Sequence, residues 1–153
     1  MTLEALLSPR LSLCHVAGSS KKKLLLNIAQ AISEQYPELD SDTVFSQLVA
    51  RERLGSTGIG EGVAIPHCRL PGCDRPIGVL CTTSPAVDFD AIDRQPVDLL
   101  FALLVPEDSD QEHLDTLAEI AALFSDSRVR DKLRDASTSD ELYALAINSA
   151  AAA

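Results

Sequence analysis

Tryptophan is missing from this sequence, and aromatic residues make up only 4 % of it. A surface that stacks bases needs aromatic faces, so single-stranded nucleic-acid binding is disfavoured and the core has to be aliphatic. Cations are scarce as well: 13 Lys and Arg stand against 23 Asp and Glu, a formal net charge of −10. Polyphosphate recruits Lys and Arg, so this balance counts against nucleic acid as a partner while leaving room for a small local anion site. No apolar run approaches the roughly 20 residues that cross a bilayer, so no membrane insertion is expected. Leu3 to Leu7 is interrupted by Glu4 and followed by Pro9 and Arg10, which is not a secretory signal; a cytoplasmic location is the expectation. The four cysteines, Cys14, Cys68, Cys73 and Cys81, are too few for a disulfide scaffold over 153 residues and are read as thiols.

What is present is ordinary for a globular chain, with 46 % hydrophobic and 24 % charged residues. The length favours one domain. There is no internal repeat, and the one biased segment is the Ala-rich end, 150–153, expected to fray.

Residues 19 to 36 read as a helix. Ser19 or Ser20 can cap it, and Leu24, Leu25, Ile28 and Ile32 share a stripe before Pro37 stops it. A second helix runs from Asp40 or Ser41 to Leu54, with Val44, Phe45, Leu48 and Val49 on its apolar side and Gly55 as its stop. The Gly-rich segment Ser56 to Gly62 leads into the short β-like run Val63-Ala64-Ile65, closed by Pro66. Pro76 to Thr83 reads as a strand. Val97 to Val105, broken only by Asp98, has the pattern of a strand buried on both faces. A further helix begins at Ser109, where Ser109 and Glu112 have capping-box spacing; Leu114, Leu117, Ala118, Ala121 and Phe124 share its face. Short helices follow near 127–135 and 139–148, the latter opened by Thr138 and Glu141. This order predicts an α/β (α+β) single domain with a central sheet flanked by helices on both faces.

The most informative stretch is Gly55 to Leu70, GSTGIGEGVAIPHCRL. Alternating Gly58, Gly60 and Gly62 allow backbone N–H groups to approach an anion, or else simply make a tight turn. The stretch lacks the Lys of a P-loop and precedes a strand, so as a motif it is weak. His67 follows a strand and a Pro, where the chain would leave the sheet, a common place for functional side chains. Its imidazole can act as nucleophile, general base or metal ligand near neutral pH.

Two further residues face the wrong way for solvated charges. At 100° per residue with Val44 at 0°, Arg51 falls at about −20° and Glu52 at about 80°, while Arg53 falls at about 180°. Arg51 therefore borders the apolar stripe and Glu52 points into it. Buried charges need partners. Either one of them pairs in support of the Gly-rich segment, or Arg51 waits for an anion. His113 lies on the apolar side of its helix, between Ile120 and Phe124, either as a satisfied core histidine or as part of a site. His67, Cys68 and Cys73 offer three soft metal ligands, but zinc-site Cys spacing is absent. Cys68 as a nucleophile assisted by His67 is disfavoured too, because neighbouring side chains on extended backbone diverge.

STGIGEGVAIPH, preceded by RERLG and followed by DAIDRQPVDLLFALLVP and EHLDTLAEIA, resembles the fructose/mannitol-type EIIA domain of the bacterial phosphotransferase system, closest to its nitrogen-related branch, EIIA-Ntr. The resemblance covers about residues 3 to 145, and the domain is assigned to 1–149. It implies a mixed sheet flanked by helices. It also implies that His67 is the phosphorylated residue, accepting phosphate from a small HPr-like carrier (NPr) that is fed from phosphoenolpyruvate through an enzyme I-type protein. Arg51 matches the family's Arg near the phosphohistidine, and His113 matches its second His, to hydrogen-bond the phosphoryl group or fix the His67 tautomer. Backbone N–H groups at Gly60, Gly62 and Val63 are added as phosphate donors. No cofactor or metal is called for, since donor and acceptor are both histidines. The output expected is regulation of partner proteins, in potassium transport or in stress and nitrogen control. The alternatives are a stand-alone EIIA subunit passing phosphate to an EIIB domain for sugar uptake, or a binding module that works without phosphate. Two departures stand out: Cys68 replaces the family's usual Gly after the active His, and Glu61 puts a carboxylate inside the Gly-rich segment.

Overall fold

The computed structural model describes residues 2–109 and 111–152, without the side chains of 111 and 112. After a short helix α1 (Leu3–Leu6) and one 3-10 turn come β1 (Ser12–Val16), α2 (Lys21–Gln35) and α3 (Ser41–Arg53). Three short strands follow, β2 (Gly58–Gly60), β3 (Val63–Ala64) and β4 (His67–Leu70), then the long strands β5 (Ile77–Val87) and β6 (Val97–Pro106). Helices α4 (Gln111–Phe124), α5 (Ser127–Asp135) and α6 (Ser139–Ala152) close the chain.

The helix starts are chemical. Ser20 Oγ accepts from Lys23 N at 3.1 Å to open α2, and Asp40 Oδ2 accepts from Thr43 N at 3.1 Å to open α3. Thr138 Oγ1 does the same for Glu141 N at 3.1 Å. The Ser109–Glu112 capping box depends on the Glu112 side chain, which lies outside what is described. Helix α6 continues through Ala152, in keeping with the high helix propensity of Ala.

The sheet is mixed, in the order β1-β5-β6-β3-β2, with β4 also on β6. Strand β6 runs antiparallel to β5 and parallel to β3 and β4. Its side chains sort with period two. Leu100, Ala102 and Leu104 join the core under α2 and α3, with Leu24, Ile28, Ile32 and Leu48. Leu99, Phe101, Leu103 and Val105 join the opposite core with Ile120, Leu133 and Leu142 of α4, α5 and α6. Both faces are thus covered, as the continuous apolar run of β6 implies.

The run at Val63 does end before Pro66, with β3 closing at Ala64, but the expectation that the chain leaves the sheet at His67 is corrected: β3 and β4 lie in line along β6, Val63 beside Leu99 and His67 beside Leu103. Proline lacks an N–H, so one rung is lost, but the Pro66 carbonyl still accepts from Leu103 N at 2.8 Å. His67 therefore opens a strand. The first strand, β1, was not foreseen; it pairs parallel to β5 with a register shift between Leu13 and Val16.

Candidate functional site

Side-chain alternation along β4 sends Cys68 and Leu70 into the α2/α3 core and leaves His67 and Arg69 on the other face. There α4 brings up His113: the two imidazoles meet edge to face, with centroids 5.6 Å apart and planes at 81°. Helix α3 packs against β4 and delivers Arg51 from its last turn.

The hydrogen bonds define the state of His67. Its Nδ1 lies 2.8 Å from the Ile65 carbonyl, which only accepts, so Nδ1 carries the proton. Arg51 Nε donates to His67 Nε2 at 3.3 Å, so Nε2 presents a lone pair. Both contacts agree on one tautomer. The Ile65 carbonyl stands at the break in the ladder that Pro66 causes.

Arg51 also donates through Nη1 to the Gly55 carbonyl at 2.8 Å, which fixes the guanidinium. Among the described residues it has no carboxylate partner, and its Nη2 is free to meet an incoming oxyanion. Glu52, next in sequence, is only 5 % exposed. Its carboxylate accepts from Thr57 N at 3.1 Å and from Thr57 Oγ1, and pairs with Lys21 Nζ at 2.9 Å. So both inward-facing charges of α3 are accounted for: Glu52 supports the Gly-rich segment and Arg51 stays available.

His113 is 8 % exposed, and neither of its ring nitrogens has a hydrogen-bond partner among the described residues. A buried, unsatisfied imidazole is costly and demands an explanation. Burial lowers its pKa first, with His67 and Arg69 adding to the effect. Burial likewise lowers the pKa of His67; the Ile65 carbonyl and Glu52 oppose the shift and Arg51 reinforces it. Two imidazoles whose pKa values burial lowers, and a guanidinium with no carboxylate partner among the described residues, therefore meet at His67, which suits an anionic group arriving at Nε2.

The backbone candidates are not part of this cluster. Val63 and His67 are four rungs apart on β6, about 13 Å at the rise of a strand. A Cβ on Gly60 would face Asp93, and one on Gly62 would come within 2.5 Å of Arg134 Nη2 and 3.0 Å of Asp98 Oδ1. Gly60, Gly62 and Val63 thus belong to a turn held by Asp93, Asp98 and Arg134. Glu61 sits in that turn with its side chain 77 % exposed, 3.9 Å from Arg130, and so does not crowd the His67 end. Cys68 lies in the core, where burial pushes its thiol up to about 12, so it is no reactive neighbour of His67. No group of three His, Cys, Asp or Glu among the described residues is placed to hold a metal. Sequence reasoning missed Lys21, Thr57 and the Ile65 carbonyl; for the last, only the missing N–H of Pro66 hinted at a break.

Residues 5–149 match the family model described as phosphoenolpyruvate-dependent sugar phosphotransferase system, EIIA 2. The chain is 51 % identical over 146 residues to a nitrogen regulatory protein of Pseudomonas aeruginosa, covering 95 % of each. It is 41 % identical over 144 residues to a nitrogen regulatory protein of Escherichia coli, covering 94 % of this chain and 88 % of that one. Among solved structures, nitrogen regulatory protein IIA-Ntr from Neisseria meningitidis superposes with a TM-score of 0.86 at 38 % identity, over 94 % of this chain and 98 % of that one. The mannitol IIA of Escherichia coli shares the fold, with a TM-score of 0.75 at 17 % identity over 92 % and 98 % of the two chains.

Proposed function

The chain belongs to the EIIA 2 family of the phosphoenolpyruvate-dependent phosphotransferase system, and on that premise we propose that it carries a phosphoryl group on His67 Nε2 and signals through its phosphorylation state. It is a phosphocarrier component; it holds the group and hands it on, and frees no small product. The observation that carries the residue assignment is the contact of Arg51 Nε with His67 Nε2 at 3.3 Å by a guanidinium that has no carboxylate partner among the described residues.

The donor is a small HPr-like carrier (NPr), itself charged on histidine. The Nε2 lone pair attacks the donor's phosphorus in line. The donor N–P bond breaks with its electron pair returning to the donor imidazole, and a new N–P bond forms at Nε2. No proton need leave Nε2, because Nδ1 already holds it. The acceptor ring becomes cationic as the bond forms, and the Ile65 carbonyl facing Nδ1–H stabilises that charge. Arg51 neutralises the equatorial oxygens, and His113 supplies a hydrogen bond that its buried ring otherwise lacks. The arriving group adds up to about two negative charges, a marked local change for a partner to read. The names of relatives of this chain, nitrogen regulatory proteins, support a regulatory output; targets in potassium transport or in stress and nitrogen control are what the family resemblance adds.

The test is to incubate the protein with phosphoenolpyruvate, an enzyme I-type protein and an NPr-type carrier, and to record its intact mass. One acid-labile phosphoryl increment, missing in His67→Ala, is expected. No increment, with a control EIIA phosphorylated in parallel, overturns the reading. Onward transfer to an EIIB domain would shift the role from regulation to sugar uptake.

A further inference from the structure

We infer that Glu52 is a positioning residue for phosphotransfer: through Thr57 and the backbone of Ile65 it holds His67 in the tautomer that exposes Nε2. The inference rests on His67 being the phosphoryl acceptor.

The chain of contacts is continuous. Glu52 is anchored by Lys21 Nζ at 2.9 Å, on a different helix. Its carboxylate receives both the N–H and the hydroxyl of Thr57. The Thr57 carbonyl then accepts from Ile65 N at 3.0 Å, and the Ile65 carbonyl accepts from His67 Nδ1 at 2.8 Å. The two peptide groups that flank Ile65 Cα, one through its N–H and the other through its carbonyl, thus connect α3 to the imidazole. This matters because Ile65 and Pro66 lie between β3 and β4, where the ladder is interrupted. Without a complete ladder, the orientation of the Ile65 carbonyl depends on the bonds on either side of it, Ile65 N on the Thr57 carbonyl and the Pro66 carbonyl on Leu103 N. A neutral imidazole free in water populates both tautomers, and only the Nδ1–H form leaves Nε2 nucleophilic.

Neighbours on one helix turn therefore control the two ring nitrogens, Arg51 meeting Nε2 directly and Glu52 acting on Nδ1 through two intervening residues. The charge has a second consequence. Nε2 attack leaves the ring cationic, and a buried carboxylate nearby favours that charge. Lys21 neutralises Glu52 on its far side and keeps a carboxylate tolerable close to an incoming phosphate.

The experiment uses full-length protein labelled with 15N and reads the His67 ring nitrogens by NMR, alongside transfer kinetics. Wild type is expected in the Nδ1–H form. Glu52→Ala is expected to mix the tautomers and to lower the transfer rate constant roughly ten- to a hundredfold, with the apparent KM for the donor carrier little changed. Glu52→Gln keeps an acceptor for Thr57 and is expected to retain the tautomer. If Glu52→Ala does not fold, Thr57→Val removes the hydroxyl link and serves in its place. A folded Glu52→Ala or Thr57→Val protein with His67 still wholly Nδ1–H and transferring at the wild-type rate overturns the inference. The tautomer is read on unphosphorylated protein. A wild-type chain that never accepts phosphate would therefore sink the phosphocarrier reading, whereas an unmoved tautomer sinks this one.

Discussion

The two ends of the β3–β4 line along β6 are built from similar residues to opposite effect. At the Gly60–Gly62 end, Arg134 Nε meets Asp98 Oδ1 at 2.9 Å, its Nη2 meets the Glu61 carbonyl, and Asp93 Oδ2 accepts from Glu61 N at 3.0 Å. Cation, carboxylate and backbone satisfy one another there. At the His67 end, Arg51 has no carboxylate and His113 has no partner at all among the described residues. Glycine density drew attention to the first end, yet the second carries the unmet hydrogen-bonding capacity. A structural turn closes its own bonds, whereas a site waiting for an anion leaves donors open and stores a local cost.

The widest separation between the ends should come from their arginines. Arg51→Ala is expected to slow phosphoryl transfer to His67 by about 10²- to 10³-fold, the usual loss when a donor to developing negative charge is removed. Arg134→Ala is expected to leave that rate within about twofold and to cost about 1–2 kcal/mol of stability instead. Transfer kinetics and urea unfolding on both variants decide it; a large rate loss in Arg134→Ala would erase the distinction. Next in size is His113→Leu. Transfer should fall about tenfold with the lost hydrogen bond, while the unphosphorylated protein should be as stable as wild type or about 1 kcal/mol more so, since an unsatisfied buried group is gone. A clear drop in unfolding midpoint would mean that His113 is satisfied in the resting protein. Gly62→Ala comes third. With φ at +75° a side chain is strained and would crowd Arg134. A loss of about 1–2 kcal/mol with unchanged transfer is expected from the left-handed backbone alone.

The same contrast explains what the sequence disclosed. Helices α2 and α3 were legible because a single periodicity ran through each, and strand β6 because its apolar run is broken only by Asp98. His67, Arg51 and His113 were legible because each contradicted its periodicity: a histidine after a proline, and a charge and an imidazole on apolar faces. Strand β4 was hidden because Pro66 reads as a terminator, and only pairing with β6 shows that the chain re-enters the sheet. Strand β1 was hidden because it is short and carries Ser12 and His15 among its apolar residues. Glycines misled, since a residue with no side chain signals backbone freedom without saying which bond uses it. Lys21 and the Ile65 carbonyl had no signal of their own; one depends on the packing of two helices, the other on a main-chain atom that every residue possesses.

The smallest effect concerns pH. Burial lowers the pKa of both His67 and His113 from the ordinary 6.5. Between those lowered values and about 6.5 the unfolded chain binds protons that the folded chain refuses, so stability is highest above about 6.5 and declines as pH falls. His113→Leu removes one of the two groups and should shallow that decline. Urea midpoints measured from about pH 8 to about pH 5 on both proteins check it, and parallel slopes would show that His113 contributes nothing. The exposed carboxylates Asp93 and Asp126, whose pKa values are lowered by hydrogen bonds, act in a separate window below about pH 4 and do not confuse the reading. The same lowering governs transfer. In the proposed mechanism a neutral Nε2 lone pair is the nucleophile, so the acceptance rate should hold level from about pH 8 down through 6.5 and fall only below it, where His67 begins to protonate. Arg134 lies at the far end, in the turn beside Gly62, so Arg134→Ala should leave the rate profile unchanged.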